Sequence, residues 1–232
     1  SFLFKLLTEP GDEIAIAVPS YPLLEHLASM ELVTLRPFTL ELHRRWEMTE
    51  PGITDRTRAV VVVNPNNPTG SFVQQEEMAL VAKRPLIVDE VFREYPVEGG
   101  APGFPPDAVL AFSLGGLSKS AGLPHYKLGW IRVAGPRAER RAAIAALETI
   151  ADNFLSVATP VQAALPDLLR IGARVRAAIL DRVRSNLALL RATVACRPSI
   201  SVLPVEGGWS ATMRVPATMS DEEAALALVE RG

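Results

Sequence analysis

The sequence predicts an α/β fold, a mostly parallel mixed sheet flanked by helices, and three observations predict it. Residues 59–63 (AVVVV) and 86–89 (LIVD) are continuous apolar runs rather than alternating ones, the pattern of parallel strands buried on both faces. Segments of helical composition, 74–83 (QQEEMALVAK) and 136–150, lie between and after them, so strands and helices take turns along the chain. Both strand-like runs end on polar groups, NPNNPTG at 64–70 and the acidic pair Asp89 and Glu90. In an open α/β sheet ligands gather beyond the carboxyl ends of the strands, where these groups would be delivered.

Taken in order, residues 1–7 (SFLFKLL) read as the tail of an amphipathic helix that Pro10-Gly11-Asp12 ends. A strand is predicted at 13–18, a helix at 21–30 and a second strand at 31–35. Residues 36–58 are mixed, a short strand, a loop and a helical turn, with His43, Arg44 and Arg45 on a solvated face. The helix at 74–83 would leave only Arg84 and Pro85 to turn back into a parallel strand, at the short limit for such loops, so residues are expected to be missing at this point. Residues 96–106 form a Gly/Pro-rich loop, and strands follow at 109–112 and 128–133. Pro136 opens a helix to 150. After a loop at 152–156, two helices are expected, 160–170 and 173–193. The second has an apolar stripe at Val175, Ile179, Val183, Leu187 and Leu190. Its arginines (174, 176, 182, 184 and 191) read as a solvated face. Ser220-Asp221-Glu222-Glu223 is a capping-box pattern that opens a last helix to 230.

With 232 residues, 48% of them hydrophobic, and a formal charge of −2, the chain reads as a soluble globular protein with an ample core. No basic patch points to nucleic acid, and no apolar run is long enough for a bilayer or patterned as a signal peptide. The single cysteine, Cys196, precludes an internal disulfide, fits a reducing cytoplasm and reads as a packing residue. His26, His43 and His125 are too scattered for a metal site.

The chemistry centres on LGGLSKSAGLPHYKLGW at 114–130, where Lys119 sits among Gly115, Gly116, Ser118, Ser120 and Gly122. Small neighbours let the backbone approach a ligand closely, and the hydroxyls offer hydrogen bonds. A partly desolvated lysine amine is a usable nucleophile for a carbonyl. By itself the segment fits an exposed Gly/Ser loop equally well. A phosphate-binding P-loop is excluded, because it needs glycine directly before the Lys-Ser pair and this chain has Ser118. Adding Asn67 and Asp89 from the two strand ends gives a lysine, a carboxylate and an amide. That set suits pyridoxal phosphate: the lysine forms an imine and the carboxylate keeps the pyridine nitrogen protonated.

Four motifs in order, PGDEIAIAVPSYP (10–22), NPNNPTG (64–70), VDEVF (88–92) and GGLSKSAGLPHYKLGW (115–130), with a weaker PVEGGW (204–209), resemble the class I/II aminotransferases of fold type I. The resemblance implies a pyridoxal phosphate-binding large domain over 1–170. It further implies, over 171–232, a bridging helix and part of a smaller α+β domain, with strands at 200–203 and 209–215. In that family Lys119 would be the Schiff-base lysine and proton shuttle, and Asp89 the partner of the pyridinium nitrogen. Asn67 would donate to the phenolic oxygen, Tyr21 would stack on the ring, and Ser118 and Lys127 would hold the phosphate. The chain departs from the pattern at Phe92, where tyrosine is usual, at Gly116 for serine, at Lys127 for arginine and at His125 for glycine. The resemblance also implies that the chain lacks its N-terminal and C-terminal parts, including the arginine for the substrate carboxylate, a role not assigned to Arg214. The implied activity is transfer of an amino group between an amino acid and a 2-oxo acid, by a cytoplasmic homodimer that binds no nucleic acid or membrane. A degenerate relative with weak or no cofactor binding, or a lyase on the same fold, is the alternative.

Overall fold

The computed structural model describes residues 1–100 and 108–231. Seven strands form one sheet: β1 (Glu13–Val18), β2 (Thr34–Leu42), β3 (Trp46–Met48), β4 (Thr57–Val63), β5 (Leu86–Asp89), β6 (Ala111–Gly116) and β7 (Gly129–Ala134). Their order is β3-β2-β1-β4-β5-β6-β7, parallel from β2 to β6, with β3 and β7 antiparallel at the two edges. The expected mostly parallel mixed sheet is therefore present.

Alternation along the central strands sends side chains to two apolar layers. Ala15, Val60, Val62, Leu86 and Val88 point to one, where Val73, Met78 and Val81 of the α3 (Gln75–Val81) region cover them. Ile14, Ala59, Val61, Ile87 and Phe112 point to the other. Leu3 and Phe4 of α1 (Phe2–Leu7), Ala28 of α2 (Leu23–Met30) and Ala143 of α5 (Arg137–Ala151) cover that face. The unbroken valine run of β4 is thus apolar because both of its faces are inside.

Several elements differ from the sequence expectation. Residues 31–33 are not strand. β2 instead runs through 36–42, a stretch read as mixed, and turns back on β3 as a hairpin. Pro37 lies inside β2, where it pairs only with Ile16 of β1, and β3 begins to pair only at Leu40. A strand with one neighbour tolerates the missing N–H. In the 43–45 turn, Arg45 is not simply solvated, since its guanidinium lies 3.0 Å from Glu77. α3 stops at Val81, and its N-terminus has the capping box in which Gln74 and Glu77 satisfy each other's backbone. The link to β5 therefore has four residues, 82–85, which removes the reason to expect missing residues there. β6 starts two residues later than expected and continues through Gly116. Residues 101–106 of the Gly/Pro-rich loop lie outside the described residues. Cys196 is exposed rather than packed.

The largest correction concerns 159–194. The two expected helices are one, α6 (Thr159–Val194), continuous across residue 170 and with Pro166 inside it. An interior glycine costs about 1 kcal/mol, so propensity alone favours a break at Gly172. Packing overrides it. Val161, Leu165 and Leu168 cover Leu117, Ala121 and Leu128. Gly172 sits so close to Ala121 that a Cβ on it would lie 2.4 Å from the Ala121 Cβ. Beyond α6 come the two-stranded pair β8 (Ser201–Val202) and β9 (Met213–Arg214), shorter than expected, and α7 (Asp221–Arg231). The α7 capping box is formed: Ser220 N–H donates to Glu223 at 2.8 Å and Glu223 N–H to Ser220 Oγ at 3.2 Å. Among the described residues no helix is long and apolar enough to cross a membrane.

The contact at Gly172 gives a stability test. Gly172→Val should lower the unfolding free energy by about 1–3 kcal/mol in urea melts through overpacking against Ala121. Gly52→Ala, at an exposed site where a Cβ meets nothing within 4 Å, should stay within about 0.5 kcal/mol of the parent.

Candidate active site

Four neighbouring parallel strands, β1, β4, β5 and β6, end on the same edge of the sheet, and each supplies one residue to that edge. Tyr21 follows β1, Asn67 follows β4, Asp89 is the last residue of β5, and Lys119 follows β6 on the single-turn helix α4 (Leu117–Ser120). β2 and β4 flank β1 on opposite sides, so the chain reverses its direction of travel across the sheet there, the kind of crevice in which open α/β sheets bind ligands. A cavity of about 250 Å³ opens at this edge, lined by Tyr21, Val63, Asn67, Asp89, Val91, Phe92 and Lys119. Four of the six residues singled out in the sequence thus share one cavity. Ser118 and Lys127 are not among its lining residues. Ser118 is half-buried beside Lys119, and Lys127 is exposed, with a positive φ of 53°.

The three asparagines of 64–67 separate by task. Asn64 is buried and its Oδ1 accepts from Val73 N–H at 3.0 Å. Asn66 donates to the Pro19 carbonyl at 3.2 Å and accepts from the Thr69 hydroxyl at 3.0 Å. These two hold the turn, which leaves Asn67 to face the cavity, with Ser210 Oγ 3.5 Å from its Oδ1.

The acidic pair divides in the same way. Glu90 points away from the cavity, accepting from the Ser113 hydroxyl and pairing with Arg93. Asp89 faces into it and accepts from Val91 N–H at 3.1 Å. Burial raises the Asp89 carboxyl above its ordinary range; the Val91 N–H opposes this and the nearby Glu90 charge adds to it. No cation is among those influences. A half-buried carboxylate set this way is suited to a cationic N–H donor entering the cavity.

Lys119 lies between aromatic rings. Its Nζ is 4.6 Å from the Trp209 ring centroid and 5.2 Å from that of Phe92, a cation–π arrangement. Trp209 also packs edge-on against Phe92 at 5.2 Å and Tyr95 at 5.1 Å. It arrives on residues 205–209, docked by Gly207 N–H to the Gly70 carbonyl at 2.8 Å and Gly208 N–H to the Tyr95 carbonyl at 3.0 Å. The Glu206 carboxylate accepts from Phe72 N–H at 2.6 Å. Gly207 is required here, since a Cβ would lie 2.7 Å from the Phe72 ring. Sequence reasoning noted PVEGGW as a motif but gave Trp209 no task. The two glycines and the following aromatic were the available signal.

Tyr95 does not replace the hydroxyl that Phe92 lacks. It is fully buried, and its hydroxyl donates to the Lys119 carbonyl. Burial raises its pKa further above the ordinary tyrosine range. Gly115, read as leaving room for a ligand, is instead approached by the Trp130 indole of β7, 2.4 Å from where a Cβ would sit. Of the five arginines read as a solvated face, Arg174 and Arg182 are exposed, but the other three have partners in the protein. Arg176 bonds the Ser120 carbonyl at 3.1 Å and Glu94 at 2.7 Å, Arg184 bonds the Pro96 carbonyl at 2.9 Å, and Arg191 pairs with Glu98. They recur on the face of the helix that meets residues 94–98.

A carboxyl whose pKa is raised by folding adds stability below its unfolded value and loses it as pH climbs through the folded value. Asp89→Asn should therefore raise the melting temperature of the ligand-free protein near pH 8. The difference from the parent should shrink as pH falls through the folded value and vanish below about 3, where the carboxyl is protonated in both states. A difference independent of pH, or one that grows in acid, would contradict a half-buried, penalised carboxylate.

A nicotianamine aminotransferase of Oryza sativa subsp. japonica is 32% identical over 186 residues, covering 72% of this chain and 37% of that protein. An S-alkyl-thiohydroximate lyase of Arabidopsis thaliana is 30% identical over 183 residues, covering 72% and 39%. Among solved structures, an alanine aminotransferase from Pyrococcus furiosus superposes with a TM-score of 0.87 at 23% identity, covering 99% of this chain and 62% of that one. The chain spans about two fifths of the length of these two curated relatives, and the structural likeness bears on the fold. The sequence profile described as "Aminotransferase class I and II" matches residues 1–232 throughout, and by this match the chain belongs to the class I and II aminotransferases.

Proposed function

We propose that this chain carries the pyridoxal phosphate site of an aminotransferase that moves an amino group between an amino acid and a 2-oxo acid. What carries the proposal is the meeting of Lys119, Asp89, Asn67 and Tyr21 around one cavity at the carboxyl edge of the sheet. These residues fit the cofactor. When bound, pyridoxal phosphate supplies an aldehyde and a protonated pyridine ring that draws electrons from the substrate Cα. Lys119 would hold it through the side-chain amine and then carry the proton at Cα. Asp89 would pair with the ring N–H, a charge-assisted hydrogen bond worth about 1.5–3 kcal/mol. Asn67 would donate to the phenolic oxygen, and the Tyr21 ring would cover one face and exclude water. Ser118 and Lys127 are the proposed phosphate partners, Lys127 with charge but without the planar fork of an arginine.

The division into 1–170 and 171–232, with α6 as the bridge, and a cytoplasmic homodimer that binds neither nucleic acid nor membrane, belong to the same proposal. A lyase on the same fold is the second reading, supported by the Arabidopsis relative named as an S-alkyl-thiohydroximate lyase. The same electron withdrawal at Cα serves elimination as well as transfer.

Adding pyridoxal phosphate should give a visible absorbance band and, after borohydride, a stable mass adduct on Lys119, both lost in Lys119→Ala. Adding an amino acid and a 2-oxo acid should then give stoichiometric exchange of the amino group. Ammonia with a released thiol from a sulfur-bearing amino acid would select the lyase. No adduct at Lys119 would identify a degenerate relative.

A further inference from the structure

We propose that Tyr95 and Arg176 are positioning residues that hold Lys119 by its main chain, each donating to one of two consecutive carbonyls at the end of α4. Its consequence for the cofactor rests on the function proposed above; the clamp itself does not.

α4 is a single turn, so its last carbonyls have no partners within the helix. The Leu117 carbonyl is taken by the N–H groups of Ala121 and Leu123, both at 3.1 Å. The next two satisfied carbonyls are those of Lys119 and Ser120, and both are met by side chains from distant elements. The Tyr95 hydroxyl, fully buried, donates to the Lys119 carbonyl. The Arg176 guanidinium on α6 donates to the Ser120 carbonyl at 3.1 Å and also binds Glu94 at 2.7 Å. Glu94 and Tyr95 are adjacent and lie a few residues after Asp89, so one short segment leads from the carboxylate to the grip on the lysine. Arg176 ties that segment, α4 and α6 at one point with two charge-assisted contacts. The lysine side chain leaves a backbone fixed in this way and runs between Phe92 and Trp209. Main-chain anchoring of this kind sets where the amine sits relative to Asp89, and a reacting group displaced by about 1 Å can lose roughly 100-fold in rate.

The test uses Tyr95→Phe, which removes only the hydroxyl, Arg176→Gln, and the control Arg191→Gln, whose partner Glu98 lies further along the same helix and segment. Two readouts are taken: amide hydrogen exchange over residues 117–123 in cofactor-free protein, and the pyridoxal phosphate concentration that half-saturates the borohydride-trapped adduct at Lys119. Tyr95→Phe and Arg176→Gln should each speed exchange in that peptide about tenfold and raise the half-saturating concentration about as much. Arg191→Gln should change neither, and Arg176→Lys should recover part of both. Because Tyr95→Phe keeps the ring packing, it reports even if Arg176→Gln fails to fold. Unchanged exchange at 117–123 in Tyr95→Phe overturns the clamp, as does an equal effect from Arg191→Gln. Faster exchange with unchanged cofactor affinity overturns the positioning role. Faster exchange in the variants, with no adduct even in the parent protein, leaves the clamp standing and removes the proposed function instead.

Discussion

The parallel pairing of β1, β4, β5 and β6 is the constraint from which the rest of this protein follows. Parallel strands place their carboxyl ends on one edge, and the register here keeps those ends level: Val63 faces Asp89, and Asp89 faces Leu114. Because each strand is covered on both faces, its apolar residues are spent inside. The first polar groups appear where the strand leaves the sheet. Tyr21, Asn67, Asp89 and Lys119 are therefore neighbours in space although they are distant in sequence. None of them needs a specific partner to reach the cavity; the sheet delivers them.

Delivery to an edge does not fix a side chain to the accuracy that chemistry demands, and a second set of contacts supplies that. Glu94 and the Ser120 carbonyl of the lysine turn are both held by Arg176 of α6. Residues 205–209 dock on Gly70 and Tyr95 and bring Trp209 against Phe92 and the lysine amine. The part of the chain that follows the sheet thus packs against two of the residues that line the cavity, Phe92 and Lys119, and α6 is the beam between them. Its continuity through Pro166 and Gly172 has the same origin. Contacts with Leu117, Ala121 and Leu128 outweigh the local cost of two poor helix formers, and a break at residue 172 would disconnect the beam from the lysine turn.

The pKa of Asp89 connects fold to chemistry. A carboxylate held in a largely apolar wall is penalised in the protein by itself, and the penalty is relieved by a cationic donor. The site is in that sense built for a partner rather than for its own stability, a common reason for a locally unfavourable group to lie at a functional edge.

The sequence by itself determined the α/β class, a strand at 13–18, the parallel strands at 59–63 and 86–89, and the placement of Asn67, Asp89 and Lys119 at strand ends. Continuous apolar runs and turn chemistry are local signals that survive without knowledge of neighbours. It did not determine that β2 would extend through Pro37, that α6 would be unbroken, or that its arginines would grip a loop. A strand's length depends on which edge is paired, and an interior proline or glycine is judged by what packs against it. An arginine on an amphipathic helix looks the same whether water or a carbonyl waits opposite. Trp209 and Tyr95 went unassigned for the same reason: their task lies in contacts with residues far away in the chain, which only the tertiary structure supplies.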